Sequence, residues 1–145
     1  GDVDAMIQDC LELTCMGQKQ IQLELQLNIG KPVTTGIEAL RQVMMNLAGN
    51  AVQAIGADEG KIKVCSRLEN GSIYIELSDT GSGIDPEHLD NIFEPFFTTK
   101  DVGEGTGLGL SVSHSLIKRL GGNIKVENSS GGGCCFSLTV PVSDN

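Results

Sequence analysis

Four groups of residues in this 145-residue chain combine side-chain type and spacing in ways that could support chemistry. Gln42, Asn46, Asn50 and Gln53 follow one another at steps of four, four and three, so on a helix they form one polar stripe. Asparagine is a poor helix former, and a solvated face would more often carry Lys and Glu. Two asparagines at i,i+4 therefore read as wanted for their carboxamides. A carboxamide oxygen is a hard, uncharged ligand suited to Mg²⁺, which keeps several waters and takes other ligands from phosphates. The plainer alternative is that Asn46 and Asn50 hydrogen-bond a neighbouring loop. The second group is Ser78-Asp79-Thr80-Gly81-Ser82-Gly83, directly after an alternating run. An ionised Asp79 can only accept hydrogen bonds, and the exocyclic amine of adenine is a donor, so an acidic residue here would select adenine over guanine. Gly81 and Gly83 would let the backbone pass close to a planar ring, although an ordinary Asp-Thr-Gly turn has the same residues.

The third group, Gly103-Glu104-Gly105-Thr106-Gly107-Leu108-Gly109-Leu110, runs straight into a helical pattern. Repeated glycines let successive N–H groups point into one concavity, and a helix start adds its dipole, which together attract anions. The segment lacks the Gly-Lys-Ser/Thr end of a Walker A loop, and no strand leads directly into it as in a Rossmann loop. A flexible lid is the alternative. The fourth group is Ile92-Phe93-Glu94-Pro95-Phe96-Phe97-Thr98-Thr99-Lys100, which holds three of the four Phe. It can anchor a mobile segment to the core or to a partner domain, with Lys100 placed to meet a phosphate.

The elements that must position these groups follow from periodicity. Residues 3–16 carry Val3, Met6, Cys10 and Leu13 at helical spacing beside Ile7 and Leu11, and Gly17 ends the pattern. Ile21, Leu23, Leu25 and Leu27 alternate with Gln22, Glu24 and Gln26 as one half-buried strand, broken at Gly30-Lys31-Pro32. From residue 37 to 55, Ile37, Leu40, Val43, Met44, Leu47, Ala51 and Ile55 keep a helical period that Gly56 closes. Ile62/Val64 and Ile73/Ile75/Leu77 flank Asn70-Gly71, a strong hairpin signal. Residues 79–109 read as a long loop region with one short helix near 86–92, and a structureless stretch of that length is usually functional. A helix over 108–120 and a last hairpin, Ile124/Val126 with Phe136/Leu138/Val140, complete one α+β domain over residues 1–145, with helices on one face of a sheet.

Composition removes other classes. Nineteen acidic against ten basic residues give a net charge of −9, against broad attraction to nucleic acid or an anionic membrane. Tryptophan is absent, so base stacking is poorly supported. No stretch approaches the ~20 apolar residues of a membrane span. Cys10, Cys15, Cys65, Cys134 and Cys135 are odd in number and contain no CxxC, and so read as reduced core or near-core thiols.

Taken in order, these segments resemble the catalytic, ATP-binding domain of two-component sensor histidine kinases. That family lies within the group that also holds gyrase B, the HSP90-like chaperones and MutL. Asn46-Leu47-Ala48-Gly49-Asn50-Ala51 is similar to the N box and Asp79-Thr80-Gly81-Ser82-Gly83 to the first glycine box. Residues 92–100 resemble the F box, and Gly105-Thr106-Gly107-Leu108-Gly109-Leu110 the second glycine box. The F box and Gly-Thr-Gly-Leu-Gly-Leu resemble the histidine kinases in particular.

The resemblance implies a two-layer α/β sandwich of the Bergerat type: a mixed, mostly antiparallel sheet, helices on one face and a flexible ATP lid over roughly 85–105. It implies ATP and Mg²⁺ as cofactors, with Asn50 ligating the metal and Asn46 and Lys100 positioning phosphate. Asp79 would receive the adenine amine, with Gly81 and Gly83 nearby. Gly105, Thr106, Gly107, Leu108 and Gly109 would contact the phosphates. Two residues depart from the pattern. Gln53 stands where many relatives carry a basic residue, and Cys134 where the terminal hairpin usually has Thr. The family's phosphoacceptor is a His followed by an acidic residue; His88 and His114 do not fit and read as surface residues.

The expectation is therefore a fragment of a longer kinase that binds Mg-ATP and phosphorylates a histidine on a separate dimerisation domain of the same parent, which then serves a response regulator. The fragment is expected to be monomeric and the parent homodimeric. It is expected to be cytoplasmic, even if the parent is membrane-anchored, without nucleic acid or direct membrane contact. A nucleotide-sensing module without phosphotransfer, and an ATP-hydrolysing clamp, are the alternatives.

Overall fold

The structure, a computed structural model, describes residues 2–82, 109–128 and 132–144. Its sheet is organised around the Asn70-Gly71 turn, where both residues take positive φ, 53° and 78°. That pair of left-handed conformations gives a two-residue connection whose twist matches its flanking strands. It joins β3 (Gly60–Glu69) to β4 (Ser72–Asp79) as antiparallel neighbours. β6 (Cys134–Pro141) adds antiparallel to β4, and β5 (Asn123–Asn128) closes that edge antiparallel to β6. β1 (Ile21–Asn28) forms the opposite edge, parallel to β3, so the order is β1-β3-β4-β6-β5. A separate two-residue ribbon pairs β2 (Val33–Thr34) with β7 (Ser143–Asp144).

Alternation decides which face the helices cover. Ile62 and Val64 of β3, Ile73, Ile75 and Leu77 of β4, and Phe136, Leu138 and Val140 of β6 are buried on one face. Lys61, Lys63, Arg67, Tyr74 and Glu76 alternate with them, and Arg67 lies 4.4 Å from the Tyr74 ring centroid on the open face. Against the apolar face lie α1 (Val3–Thr14), α2 (Ile37–Ile55) and α3 (Gly109–Arg119), with α2 between the other two. α2 buries Leu40, Val43, Met44, Leu47, Ala48, Ala51 and Ile55, the stripe that its 3.6-residue period predicts. Asp4 in the first turn of α1 accepts from Ser66 Oγ at 2.7 Å and Gly30 N at 3.0 Å, tying α1 to the far ends of β1 and β3.

Two expectations need correction. Leu13 is 58% exposed rather than part of the apolar stripe. In the last turn of α1 it is Thr14, its hydroxyl 3.7 Å from Met45 Sδ, that faces α2, and Leu13 sits about 100° round the helix from it. His114, read as a surface residue, is half-buried on α3. The short helix near 86–92, His88 and the lid over 85–105 lie outside the described residues.

Candidate functional site

Asp79 is the last residue of β4 and continues the buried row of Ile73, Ile75 and Leu77. A carboxylate thus occupies a position that the alternation reserves for an apolar side chain, and it is only 5% exposed. Its in-register neighbours are Ile62 on β3 and Cys134 on β6. Burial raises the carboxyl above the ordinary Asp value, while backbone hydrogen bonds at Gly81 and Cys134 act against that shift. The first of these is Gly81 N donating to Asp79 Oδ1 at 2.8 Å. Cys134 is buried too, and its thiol is pushed up to about 12, first by burial and then by the charges of Asp79 and Cys135. The thiol therefore stays protonated and leaves Asp79 as the ionisable group of the pair.

The loop after Asp79 is fixed on both sides. Thr80 N donates to Lys61 O at 3.2 Å and Lys61 N donates to Thr80 Oγ1 at 2.9 Å, which ends the strand against β3. Ser82 N donates to Ala54 O at 3.3 Å, which joins the loop to the last turn of α2. Gly81 lies so close to this turn that a Cβ would stand 2.6–2.7 Å from the carbonyl carbon, Cβ and carbonyl oxygen of Ala54. The close approach recorded at Gly81 is to this helix. Gly81→Ala is expected to push the loop off α2 and lower stability by about 1–3 kcal/mol, read as a fall in Tm.

This attachment sets Asp79 beside the end of α2 that carries the carboxamides. Ala54 is one turn beyond Asn50, and Asn50 one turn beyond Asn46. Both asparagines are half-buried, whereas Gln42 and Gln53 at the ends of the stripe are exposed. Asn46 Nδ2 donates to Ser113 Oγ on α3 at 3.2 Å. Near the other end of α3, Leu120 packs against Gly36 at the start of α2. The two helices are therefore antiparallel, and α3 begins, at Gly109, toward Asn50. α3 has no acidic residue in its first turn and ends in Lys118 and Arg119. The first N–H groups of a helix have no carbonyl partner within it, and together with the dipole they make this an end that favours anions.

Asn46, Asn50, Asp79, Gly81 and the start of α3 at Gly109 are thus brought to one end of the helix layer. Gly83, Lys100, Gly105, Thr106, Gly107 and Leu108 lie outside the described residues. Ser113 is the residue that sequence reasoning missed. A lone Ser within a helical run carries no signal, except that it falls on the buried side of α3 with Ile117. An amine acceptor, two carboxamides and an anion-favouring helix end form a donor set that fits a purine nucleotide carrying phosphates and a hard divalent cation.

This constellation lies at one end of a helix-covered mixed sheet, and comparison with known proteins places the chain in a class. Residues 35–144 match the family described as histidine kinase-, DNA gyrase B-, and HSP90-like ATPase, and the chain belongs to that family. Among its relatives, the sensor histidine kinase ZraS of Escherichia coli is 39% identical over 145 residues, covering 98% of this chain and 30% of ZraS. The chain thus spans about a third or less of the curated relatives it matches. The catalytic domain of histidine kinase ThkA superposes with a TM-score of 0.85 at 31% identity, covering 97% of this chain and 93% of that domain. ThkA in complex with the response regulator TrrA superposes with a TM-score of 0.79 at 27% identity, covering 97% and 40%. These neighbours bear out the α+β fold with a mixed five-stranded sheet.

Proposed function

We propose that this domain binds Mg-ATP and passes the γ-phosphoryl group to a histidine on a separate domain of a sensor kinase. The observation that carries the reading is Asp79: a carboxylate buried at the end of an apolar row, fastened beside the carboxamide end of α2. An otherwise costly buried acceptor makes sense where a ligand supplies the donor. Asp79 takes the adenine amine, Asn50 ligates the metal and Asn46 positions phosphate. The N–H groups at the start of α3 receive the phosphates, with Lys100, Gly105, Thr106, Gly107 and Leu108 completing that end and Gly83 bordering the base. Magnesium, when bound, neutralises triphosphate charge. The protein's own part is positioning, which is most of what phosphoryl transfer requires.

The partners of this reading are the histidine-bearing dimerisation domain of the parent and a response regulator. The ThkA–TrrA complex supports the second for a relative. Dependence on ATP argues for a cytoplasmic domain. Among the described residues, no helix is long and apolar enough to cross a membrane.

The test is to mix the domain with γ-labelled ATP, Mg²⁺ and the histidine-bearing domain of its own parent. Acid-labile label on that domain's histidine is expected. Nucleotide binding without such label identifies a sensing module instead, and steady phosphate release with ATP-driven dimerisation identifies a clamp.

A further inference from the structure

The turn that leads into β6 makes a close approach to Asp79, separate from the one between Gly81 and α2. Gly132 and Gly133 both take positive φ, 98° and 82°, a region that favours glycine. Their surroundings differ. Gly132 is exposed, and an added Cβ there would meet nothing within 4 Å. Gly133 is buried, and a Cβ there would collide with the Asp79 carbonyl oxygen and stand 2.7 Å from the Asp79 carbonyl carbon and 3.0 Å from Thr80 Cα. The backbone of Gly133 therefore lies against the peptide that joins Asp79 to Thr80. Gly133 also precedes Cys134, whose backbone N–H donates to the Asp79 carboxylate.

The peptide that carries this N–H begins at the Gly133 carbonyl carbon, so the Gly133 dihedrals decide where the N–H points. We propose that Gly133 is a positioning residue for Asp79: lying against the Asp79–Thr80 peptide in a left-handed conformation, it aims the Cys134 N–H at the carboxylate and so fixes the acceptor that selects the base. With Gly81 N at 2.8 Å from Oδ1, two backbone donors then hold the carboxylate. An ionised carboxylate has about four acceptor sites, which leaves room for a donor on a ligand. The inference rests on the nucleotide reading above and adds what sets its base end. Asp79 and the loop after it are gripped by two glycine contacts, Gly81 with α2 and Gly133 from the β5–β6 turn. The terminal hairpin thereby acts on base selection through its backbone.

Gly133→Ala and Gly132→Ala separate this role from a purely structural one, because both strain a positive φ and only the first adds a Cβ against Asp79. In the ligand-free protein, ¹³C NMR reads the Asp79 carboxyl. Gly133→Ala should raise its titration midpoint, since a hydrogen bond to the charged form is lost, and Gly132→Ala should leave it in place. The Cys134 thiol beside it, pushed up to about 12, stays protonated over that range. In calorimetry at neutral pH, Gly133→Ala should weaken ATP binding by about 10- to 150-fold, the scale of one hydrogen bond to a charged group, and lower the preference for ATP over GTP by a like factor. In an Asp79→Asn background the same substitution should leave that preference unchanged, because Gly133 acts through Asp79. An Asp79 titration that both variants move equally, or an ATP preference that survives Gly133→Ala, overturns the proposal. If Gly133→Ala fails to fold, the unsubstituted protein decides: the Cys134 amide proton should follow the Asp79 titration, and an amide that ignores it sinks the idea. If the unsubstituted domain binds neither ATP nor GTP, the nucleotide reading fails, and the NMR measurements still decide how Gly133 holds Asp79.

Discussion

Asp79→Asn is expected to weaken adenine-nucleotide binding by roughly 5- to 150-fold while making the free domain more stable at neutral pH, the first figure being the fold-change of a buried hydrogen-bond mismatch. The binding loss follows from the acceptor role. The carboxylate presents acceptors only, whereas Asn presents an acceptor on one branch and a donor on the other. Gly81 N already occupies Oδ1 at 2.8 Å. If the Asn oxygen keeps that bond, its NH₂ faces the amine of the base, donor against donor. Such a mismatch costs about 1–3 kcal/mol. Unchanged ATP affinity in titration calorimetry would remove Asp79 from the site.

The stability gain follows from the sign of the proton linkage. Burial raises the Asp79 carboxyl above its unfolded value, so the folded state holds the proton more tightly than the unfolded state. The associated stabilisation is complete below the ordinary Asp pKa and is lost as pH rises through the raised value. At neutral pH the parent therefore folds around a buried charge that the Asp79→Asn variant lacks, whereas in acid both side chains are neutral and the difference should close. Thermal melts of the two proteins across that range check this, and a variant less stable than its parent at neutral pH contradicts it. ATP binding to the parent should run the other way, falling as pH drops through the Asp79 pKa. Opposite responses of stability and affinity are what a strained functional group produces.

The elements with strong periodicity were legible at the sequence level. The boundaries of α2 and the Asn70-Gly71 turn follow from residue types alone, because a 3.6-residue stripe and a pair of left-handed residues each have one structural meaning. The parallel pairing of β1 with β3 was not legible, since a period of two reports which face is buried and not which strand lies alongside. The β2–β7 ribbon is two residues long on each side and offers no period at all. At the candidate site, Asn46, Asn50 and Asp79 stand out in the sequence because their types are unusual for their positions. The burial of Asp79 and the closeness of Gly81 to Ala54 depend on how the strand end meets α2, a tertiary fact with no local signature. Ser113 was missed for the same reason.

Asn50 carries the second large effect. It stands one turn from Asn46 and one turn from Ala54, the residue that anchors the Asp79 loop, so it lies between the Asn46 carboxamide and the loop that follows Asp79. A metal ligand here must serve a cation already bound to a triphosphate, and a neutral oxygen does so without repelling the nucleotide. Two substitutions separate this role from a structural one. Asn50→Ala removes the oxygen and should abolish the advantage that Mg²⁺ gives to ATP binding, a loss of about 10- to 100-fold in Mg-ATP affinity, with metal-free binding little changed. Asn50→Asp keeps an oxygen of the same shape but adds a charge. It should weaken metal-free ATP binding by repulsion and yet retain binding when Mg²⁺ is present, so its dependence on magnesium becomes steeper than the parent's. Calorimetry with and without the metal reads both variants. If Asn50→Ala keeps the full magnesium dependence, the cation is held by other residues; if both variants lose affinity equally with and without metal, Asn50 serves packing, and the carboxamide stripe then contributes to the fold rather than to the metal.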